Sequence, residues 1–290
     1  MIYILFFILA LLKALVVIFE KKYSKMTLNT VASEEIFLFF MSIGSALFYA
    51  AVSGFKIIPN INTLIYSAVL ALFAAVSIIC VIIALRKTSV VNVSVFQNSG
   101  SIAVAYIFGV FFMRESVSVF NILACVIALF ITIKPFFSKK DMQESTLIGY
   151  ILCLILFFEA GMVSCFYKLY TVDTNVCSES VLCFWANVLL IPYTLSTFIF
   201  KLKKSPPKKE KISIKATGMV GLITVTNCVF TLLEIYIIKN ISLTFYTIGN
   251  SSFSLIFSAV LSAIIFGESL TKESLTTIFL SICSVILGAL

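Results

Sequence analysis

Residues 147–170 read LIGYILCLILFFEAGMVSCFYKLY, an apolar run of membrane-spanning length with one carboxylate near its middle. A transmembrane α-helix needs about 20 mainly apolar residues to cross a hydrocarbon layer of about 30 Å. Glu159 follows Leu147 by twelve residues, which places it roughly 18 Å along such a helix, close to the midplane. Because a charge there costs about 2.5–3.5 kcal/mol on insertion scales, it normally faces a partner, a cavity or a ligand. The stretch therefore predicts a membrane helix with a functional Glu159; a structural carboxylate that ties helices together is the alternative.

The composition of the whole chain extends this interpretation. Of the 290 residues, 61% are hydrophobic and only 12% are charged, which excludes a soluble domain and predicts a multi-pass protein of the cell (plasma) membrane. In lipid every backbone polar group must be satisfied internally, and the alternation typical of a barrel is absent, so we expect an all-α integral membrane fold. The net charge of +8 then reflects loops on one side of the bilayer, and no nucleic-acid partner is expected.

Ten apolar segments can be distinguished along the sequence, and several are joined by connections so short that we expect tight helical hairpins. We therefore predict ten transmembrane helices, at 2–20, 35–54, 62–85, 90–113, 117–136, 147–170, 179–200, 216–238, 241–266 and 274–290.

The distribution of basic residues along the sequence predicts the orientation of the chain in the membrane. The loops after the first, third, fifth, seventh and ninth segments, together with Lys134 at the end of the fifth, hold sixteen of the 21 Lys and Arg, seven of them in Lys201–Lys215, which we expect to be a solvated loop. Because cytoplasmic loops are enriched in Lys and Arg, this distribution predicts that both termini lie outside the cell.

The second half of the sequence resembles the first. VASEEIFLFF at 31–40 aligns with VCSESVLCFW at 176–185, and FFMRESVSVF at 111–120 aligns with IIFGESLTKE at 264–273. Five helices are an odd number, so the second copy must enter the membrane from the opposite side. The chain is thus predicted to form two inverted five-helix repeats, 1–140 and 141–290, within one membrane domain. In such architectures the binding site typically lies at the midplane between the two halves.

This repeat suggests a partner for Glu159. Lys13 lies eleven residues into the first segment, roughly 16 Å deep, and within one residue of the position equivalent to Glu159. A permanent Lys13–Glu159 ion pair and a pair that a substrate or a proton opens both fit the sequence, and we favour the second.

Further polar residues occur within the apolar segments. Amides have several hydrogen-bonding atoms that lipid cannot satisfy, whereas the serines of the ninth segment are better explained as a packing seam. Near segment ends, Glu234 could simply reach toward an interface, and the single tryptophan could be an interfacial aromatic. The candidate substrate-binding and coupling residues are Lys13, Gln97, Asn98, Glu159, Trp185, Asn227, Glu234 and Asn250.

Several chemistries are excluded by what the sequence lacks. The chain has no histidine, its two aspartates, Asp141 and Asp173, lie in predicted loops, and no P-loop is present. None of the eight cysteines forms a C-x-x-C pair, and we expect them to be small buried hydrophobes. We therefore expect no catalytic residues, no metal site and no cofactor.

A short corner precedes the last helix of each half, Met113-Arg114-Glu115 in the first and Phe266-Gly267-Glu268 in the second. With the two five-helix halves, these corners resemble those of the drug/metabolite transporter superfamily, in particular its ten-helix EamA-like members, over nearly the whole chain. We expect Glu115 and Glu268 to complement helix dipoles. The family's early proline in the fourth and ninth helices is missing, with Ile102 and Leu255 near those places.

The sixth segment also resembles the first helix of four-helix multidrug members of that superfamily. In those proteins a membrane-embedded glutamate, followed about two turns later by a lysine, exchanges protons for a cationic substrate. Glu159 and Lys168 match these positions approximately, one residue too far apart. The resemblance implies a transporter of small organic metabolites and, unlike the charge bias, cytoplasmic termini.

We thus expect a secondary transporter of an amino acid or another amine or zwitterion, coupled to protons or working by exchange, and either monomeric or homodimeric. The alternatives are an exporter of cationic amphiphiles and a membrane scaffold or receptor that transports nothing.

Overall fold

The structure is a computed structural model that describes residues 2–27, 33–114, 118–137, 147–204, 214–267 and 272–289. These ranges contain no β-strand. They form ten α-helices: α1 (Ile2–Met26), α2 (Ser33–Val52), α3 (Ile61–Lys87), α4 (Val90–Met113), α5 (Val119–Phe137), α6 (Leu147–Val172), α7 (Glu179–Lys204), α8 (Ile214–Asn240), α9 (Leu243–Phe266) and α10 (Lys272–Ala289).

Seven helices of the described ranges, α2, α3, α4, α6, α7, α8 and α9, are long and apolar enough to cross a membrane. Large apolar side chains lie on the outer surface of the bundle; Phe111 and Leu72, for example, are 77% and 71% exposed. An exposed apolar surface of this kind suits lipid and would be unfavourable in water. The prediction of an all-helical, membrane-embedded protein is confirmed.

Polar caps begin the helices that follow short connections. The Ser89 hydroxyl accepts a hydrogen bond of 3.1 Å from the Asn92 backbone N–H at the start of α4, and Ser242 accepts one of 3.3 Å from the Phe245 N–H at the start of α9. Serine is a favoured N-cap residue because its oxygen satisfies an N–H that has no partner within the helix. Only two residues therefore separate α3 from α4 and α8 from α9 in the structure.

Two lysines contact these two connections in the same way. A helix C-terminus leaves carbonyl oxygens without intrahelical partners, and a cation there also complements the helix dipole. Each ammonium donates to two such carbonyl oxygens: Lys21 to those of Leu85 and Thr88, and Lys168 to those of Ile238 and Ile241.

Two ion pairs join neighbouring helix ends. Arg86 at the end of α3 pairs with Glu34 at the start of α2. Lys239 at the end of α8 pairs with Glu179 at the start of α7, with 2.8 Å between Nζ and Oε1. The second pair is the more exposed, its side chains being 53% and 32% exposed.

Helices α4 and α6 pack closely because glycines lie at their contact. A Cβ atom added to Gly100 would lie only 1.9 Å from the Phe157 carbonyl oxygen, and one added to Gly161 would lie 2.4 Å from the Val104 Cβ. Small residues at such positions let two helix backbones approach each other.

The remaining contacts arrange the helices around a central space. Helix α1 packs against α8 and α9, helix α6 packs against α3 and α4, and α2 packs against α7. Helices α5 and α10 contact each other beside α4 and α9. This packing leaves α1, α2, α3, α6, α7 and α8 around the interior, and α4 contributes Gln97 to its wall.

One sequence prediction differs from the structure, and others concern residues that the structure does not describe. The predicted loop Lys201–Lys215 is shorter, since α7 continues to Lys204 and α8 begins at Ile214; lysine is a good helix former. Its central part, and the predicted dipole partners Glu115 and Glu268, lie outside the described residues. Arg114 and Gly267, in the two predicted corners, both adopt the left-handed conformation, with φ of 55° and 64°.

Candidate functional site

A cavity of about 230 Å³ lies at the centre of the helices. Residues of α1, α2, α3, α4, α6, α7 and α8 line it. Among the described residues, its ionisable carboxyl and amino groups come from one lysine and three glutamates: Lys13, Glu20, Glu159 and Glu234. The two charges that the sequence places near the midplane, Lys13 and Glu159, therefore face the same space.

The Lys13 ammonium is positioned by a neighbouring helix. It donates a hydrogen bond of 2.8 Å to Asn98 Oδ1 on α4. The same Asn98 oxygen accepts a second hydrogen bond, of 3.0 Å, from the Ser254 hydroxyl on α9. Asn98 is itself buried and so orients Lys13 from behind the cavity wall.

The Glu234 carboxylate is positioned by a second chain of hydrogen bonds. The Tyr246 hydroxyl donates to Glu234 Oε1 at 2.7 Å, and Asn250 Nδ2 donates to the Tyr246 oxygen at 2.9 Å. Tyr246, Asn250 and Ser254 follow one another at intervals of four residues, on one face of α9. No described residue of α9 lines the cavity, yet this face positions both Lys13 and Glu234.

Glu159 makes a looser set of contacts. The Ser77 side chain on α3 lies beside its carboxyl group, and Lys13 and Glu234 lie within electrostatic range. The predicted direct Lys13–Glu159 ion pair is not formed, because no nitrogen–oxygen distance between these two described residues is within 4.0 Å. Asn98 takes the place of the carboxylate as the partner of Lys13.

Glu20 belongs to the cavity, although it is not among the site residues predicted from the sequence. Its side chain is only 7% exposed and lies within electrostatic range of Glu159. The signal was its spacing: Glu20 follows Lys13 by seven residues, two helical turns, and therefore lies on the same face. The predicted first span ended at residue 20, whereas α1 continues to Met26.

The other predicted site residues divide between the cavity and its surroundings. The amides of Gln97 and Asn227 line the cavity. Asn250 lies behind it as the donor to Tyr246, and its Oδ1 is buried without a hydrogen-bond partner among the described residues. Trp185 lies apart from the cavity, where its indole N–H donates to the Ile57 carbonyl oxygen at 2.7 Å.

The structure also describes the serines of the predicted packing seam and the cysteines. Ser251, Ser254, Ser258 and Ser262 of α9 are buried, and α9 packs against both α1 and α4. Five of the eight cysteines are buried and all eight are free thiols.

Within the described ranges no group of His, Cys, Asp and Glu side chains is arranged to bind a metal ion. The cavity can thus bind charged groups of both signs by ion pairing and hydrogen bonding.

Comparison with known proteins identifies a shared fold but no family. No family model matches the sequence, and no curated protein is similar to it. Among solved structures, one described as "Crystal structure of protein" is similar, with a TM-score of 0.59 and 12% sequence identity over 97% of this chain and 95% of that chain. At this level of identity the likeness shows a shared fold alone.

Proposed function

We propose that this protein is a secondary transporter of a small organic metabolite, an amine or zwitterion, which binds in the central cavity. The observation that carries the proposal is a single space among apolar helices that contains Lys13 and three carboxyl groups without a direct Lys13–Glu159 pair. Charged groups inside a membrane are costly and are typically retained where they bind a substrate or an ion. A scaffold or receptor that transports nothing would gain little from them.

The proposed architecture is ten transmembrane helices in two inverted repeats, 1–140 and 141–290, with the cavity near the midplane. Two pairs of equivalent contacts support it. Lys21 contacts the α3–α4 connection, and Lys168 contacts the α8–α9 connection, which holds the equivalent place in the second half. Glu34 and Glu179, which align in the repeat, both pair with a cation at the end of the next helix.

The helix contacts support the same architecture. Exchanging the first five helices with the last five converts the α1–α9 contact into the α6–α4 contact, and the α3–α6 contact into α8–α1. A site between two such halves can open to each side of the membrane in turn when one half rocks against the other.

The charges and the volume of the cavity favour a small amine or zwitterion. Three carboxyl groups face one ammonium, so a positively charged group on the substrate would balance them. Pockets for drug-sized ligands measure about 300–1,000 Å³, whereas a cavity of about 150 Å³ suits a benzene-sized molecule. The observed 230 Å³ lies between these values and suits a single amino acid or short amine.

An exporter of cationic amphiphiles is the second candidate. The excess of carboxyl groups favours it, because such a site attracts organic cations, but the cavity volume favours the smaller substrate. A panel containing both classes of compound distinguishes them.

We further propose that Glu159 couples transport to protons, that the cell membrane is the location, and that the protein belongs to the drug/metabolite transporter superfamily. The position of Glu159 in the cavity, between Ser77, Lys13 and Glu234, supports the first. The membership rests on the sequence resemblance of the corners and of the sixth helix.

Counterflow tests transport without knowledge of direction or coupling ion. Purified protein in lipid vesicles is loaded with unlabelled compounds, and entry of the same labelled compound is followed. We expect saturable exchange for at least one amino acid or amine, and none in protein-free vesicles. If no amino acid, amine or cationic amphiphile exchanges while the protein remains folded, the proposal is wrong.

A further inference from the structure

Glu20 is a buried carboxyl group of the cavity that has no hydrogen-bond or ion-pair partner among the described residues. It is 7% exposed and lines the cavity, and no residue that the structure describes donates a hydrogen bond to it. Burying a carboxylate costs free energy unless a cation or hydrogen-bond donor compensates it. A positively charged group on a ligand would supply that compensation.

The nearby cations of the protein do not perform this function. Lys13 donates to Asn98, and Lys21, the next residue after Glu20, donates to the carbonyl oxygens at the α3–α4 connection. Lys22 is exposed on the outside of the bundle. The charged group that acts on Glu20 is instead the Glu159 carboxyl group, of the same sign. Among the described residues, no cation of the protein therefore balances Glu20, whereas Glu159 has Lys13 within electrostatic range.

The spacing along α1 gives the approximate scale of a fitting ligand. Lys13 and Glu20 are separated by two helical turns, roughly 10 Å along the axis. From bond lengths of about 1.5 Å, an extended lysine molecule spans roughly 7–8 Å between its carboxylate carbon and its side-chain ammonium. With a hydrogen bond of about 2.8 Å at each end, such a molecule spans roughly 13 Å, which is enough to bridge two groups whose positions on α1 differ by roughly 10 Å.

On the basis of the proposed transport function, we propose that the substrate is a cationic α-amino acid bound at three points. Its carboxylate contacts Lys13, its α-ammonium contacts Glu234, and its side-chain cation lies between Glu20 and Glu159. The first two protein groups are already oriented by Asn98 and Tyr246. The third position is the one that a neutral amino acid leaves empty.

Three related compounds test this assignment on the unmodified protein. L-lysine has all three charged groups, norleucine lacks the side-chain ammonium, and cadaverine lacks the carboxylate. In counterflow with labelled L-lysine, we expect unlabelled L-lysine to compete at concentrations at least about tenfold lower than either analogue. A factor of about ten in affinity corresponds to the free energy that one hydrogen bond to a charged group usually contributes. Equal competition by norleucine would overturn the assignment.

Labelled norleucine is measured in parallel so that the two proposals can fail separately. If norleucine is exchanged and lysine is not, the transport function stands, but the third binding position is overturned. Absence of exchange for every amine and zwitterion tested overturns the transport function, and this assignment with it.

Glu20→Gln then tests the residue itself. We expect the preference for lysine over norleucine to fall about tenfold, since a neutral amide replaces the carboxylate. Glu179→Gln makes the same change in an ion pair outside the cavity and should preserve the preference. An unchanged preference in folded Glu20→Gln protein, judged by size-exclusion chromatography, contradicts the assignment; if that variant does not fold, the lysine and norleucine comparison on the unmodified protein decides.

Discussion

The Lys13 ammonium lies 2.8 Å from the Asn98 side-chain oxygen and donates its hydrogen bond there, on α4, and not to the Glu159 carboxylate across the cavity. Ser254 of α9 donates to the same oxygen. The two charges predicted to pair are therefore kept apart by a polar residue that belongs to neither of their helices. This separation leaves both groups able to contact a bound molecule.

Replacing Asn98 tests whether this orientation matters. We expect Asn98→Leu, which is similar in size but cannot accept a hydrogen bond, to weaken substrate binding about tenfold, since a hydrogen bond to a charged group contributes about 1.5–3 kcal/mol. The measurement is the half-saturating concentration in counterflow. Asn92→Leu is the control, because Asn92 lies on the same helix and its amide donates to Thr88 outside the cavity. Equal values for both variants would mean that Asn98 does not orient Lys13 for binding.

The Tyr246 hydroxyl provides a similar test for Glu234. Tyr246→Phe removes only the oxygen that donates to Glu234 at 2.7 Å. We expect weaker binding of the substrate amine, by about tenfold, with little change in folding. Tyr236→Phe makes the same change at a residue that is 52% exposed and should bind normally. Unaltered affinity in Tyr246→Phe would show that the α9 network has only a structural role.

Glu159→Gln tests proton coupling. The group faces Ser77, Lys13, Glu20 and Glu234, and a glutamine at this position keeps the shape of the side chain but cannot release a proton. We expect counterflow to persist at a reduced rate and uptake driven by a pH gradient to be lost. The experiment compares the two assays in the same vesicles. A variant whose gradient-driven uptake keeps its normal pH dependence would exclude Glu159 as the coupling residue.

The α4–α6 contact predicts a stability effect. Gly100→Ala would place a Cβ atom 1.9 Å from the Phe157 carbonyl oxygen, which is backbone and cannot move away easily. We expect a loss of several kcal/mol or a failure to fold, since overpacking alone typically costs about 1–3 kcal/mol. Gly218→Ala is the control, because nothing lies within 4 Å of its added Cβ. Thermal unfolding in detergent measures both, and a Gly100→Ala protein as stable as the control would contradict the close packing.

Much of this arrangement could be predicted from the sequence because the position of a residue within an apolar segment indicates how deep it lies in the membrane. Counting residues along an apolar segment located Lys13 and Glu159 near its middle, and both line the cavity. The same count ends the predicted first span at residue 20, so Glu20 falls at the last position of that span and is not among the predicted site residues. The helix continues to Met26, and Glu20 faces inward.

The direction in which a side chain points could not be predicted in the same way. Gln97 and Asn98 are adjacent, yet Gln97 lines the cavity and Asn98 lies between helices as the partner of Lys13. Helix rotation depends on contacts with neighbouring helices, which the polarity of a single residue does not report. For the same reason the sequence predicts Trp185 as a site residue, whereas in the structure its indole N–H donates to the Ile57 carbonyl oxygen away from the cavity.

The central claim, that the transported substrate occupies this cavity, is tested most directly by substrate protection of a cysteine placed in its wall. Ala74 lines the cavity, whereas Ala75 is buried against Leu38 and Leu190. A small thiol reagent is added to Ala74→Cys and Ala75→Cys proteins in vesicles, and labelling at each position is quantified by mass spectrometry. We predict that Ala74→Cys reacts, that substrate slows this reaction several-fold, and that Ala75→Cys stays unreactive. Labelling of Ala74→Cys at the same rate with and without a substrate that still exchanges would contradict the account.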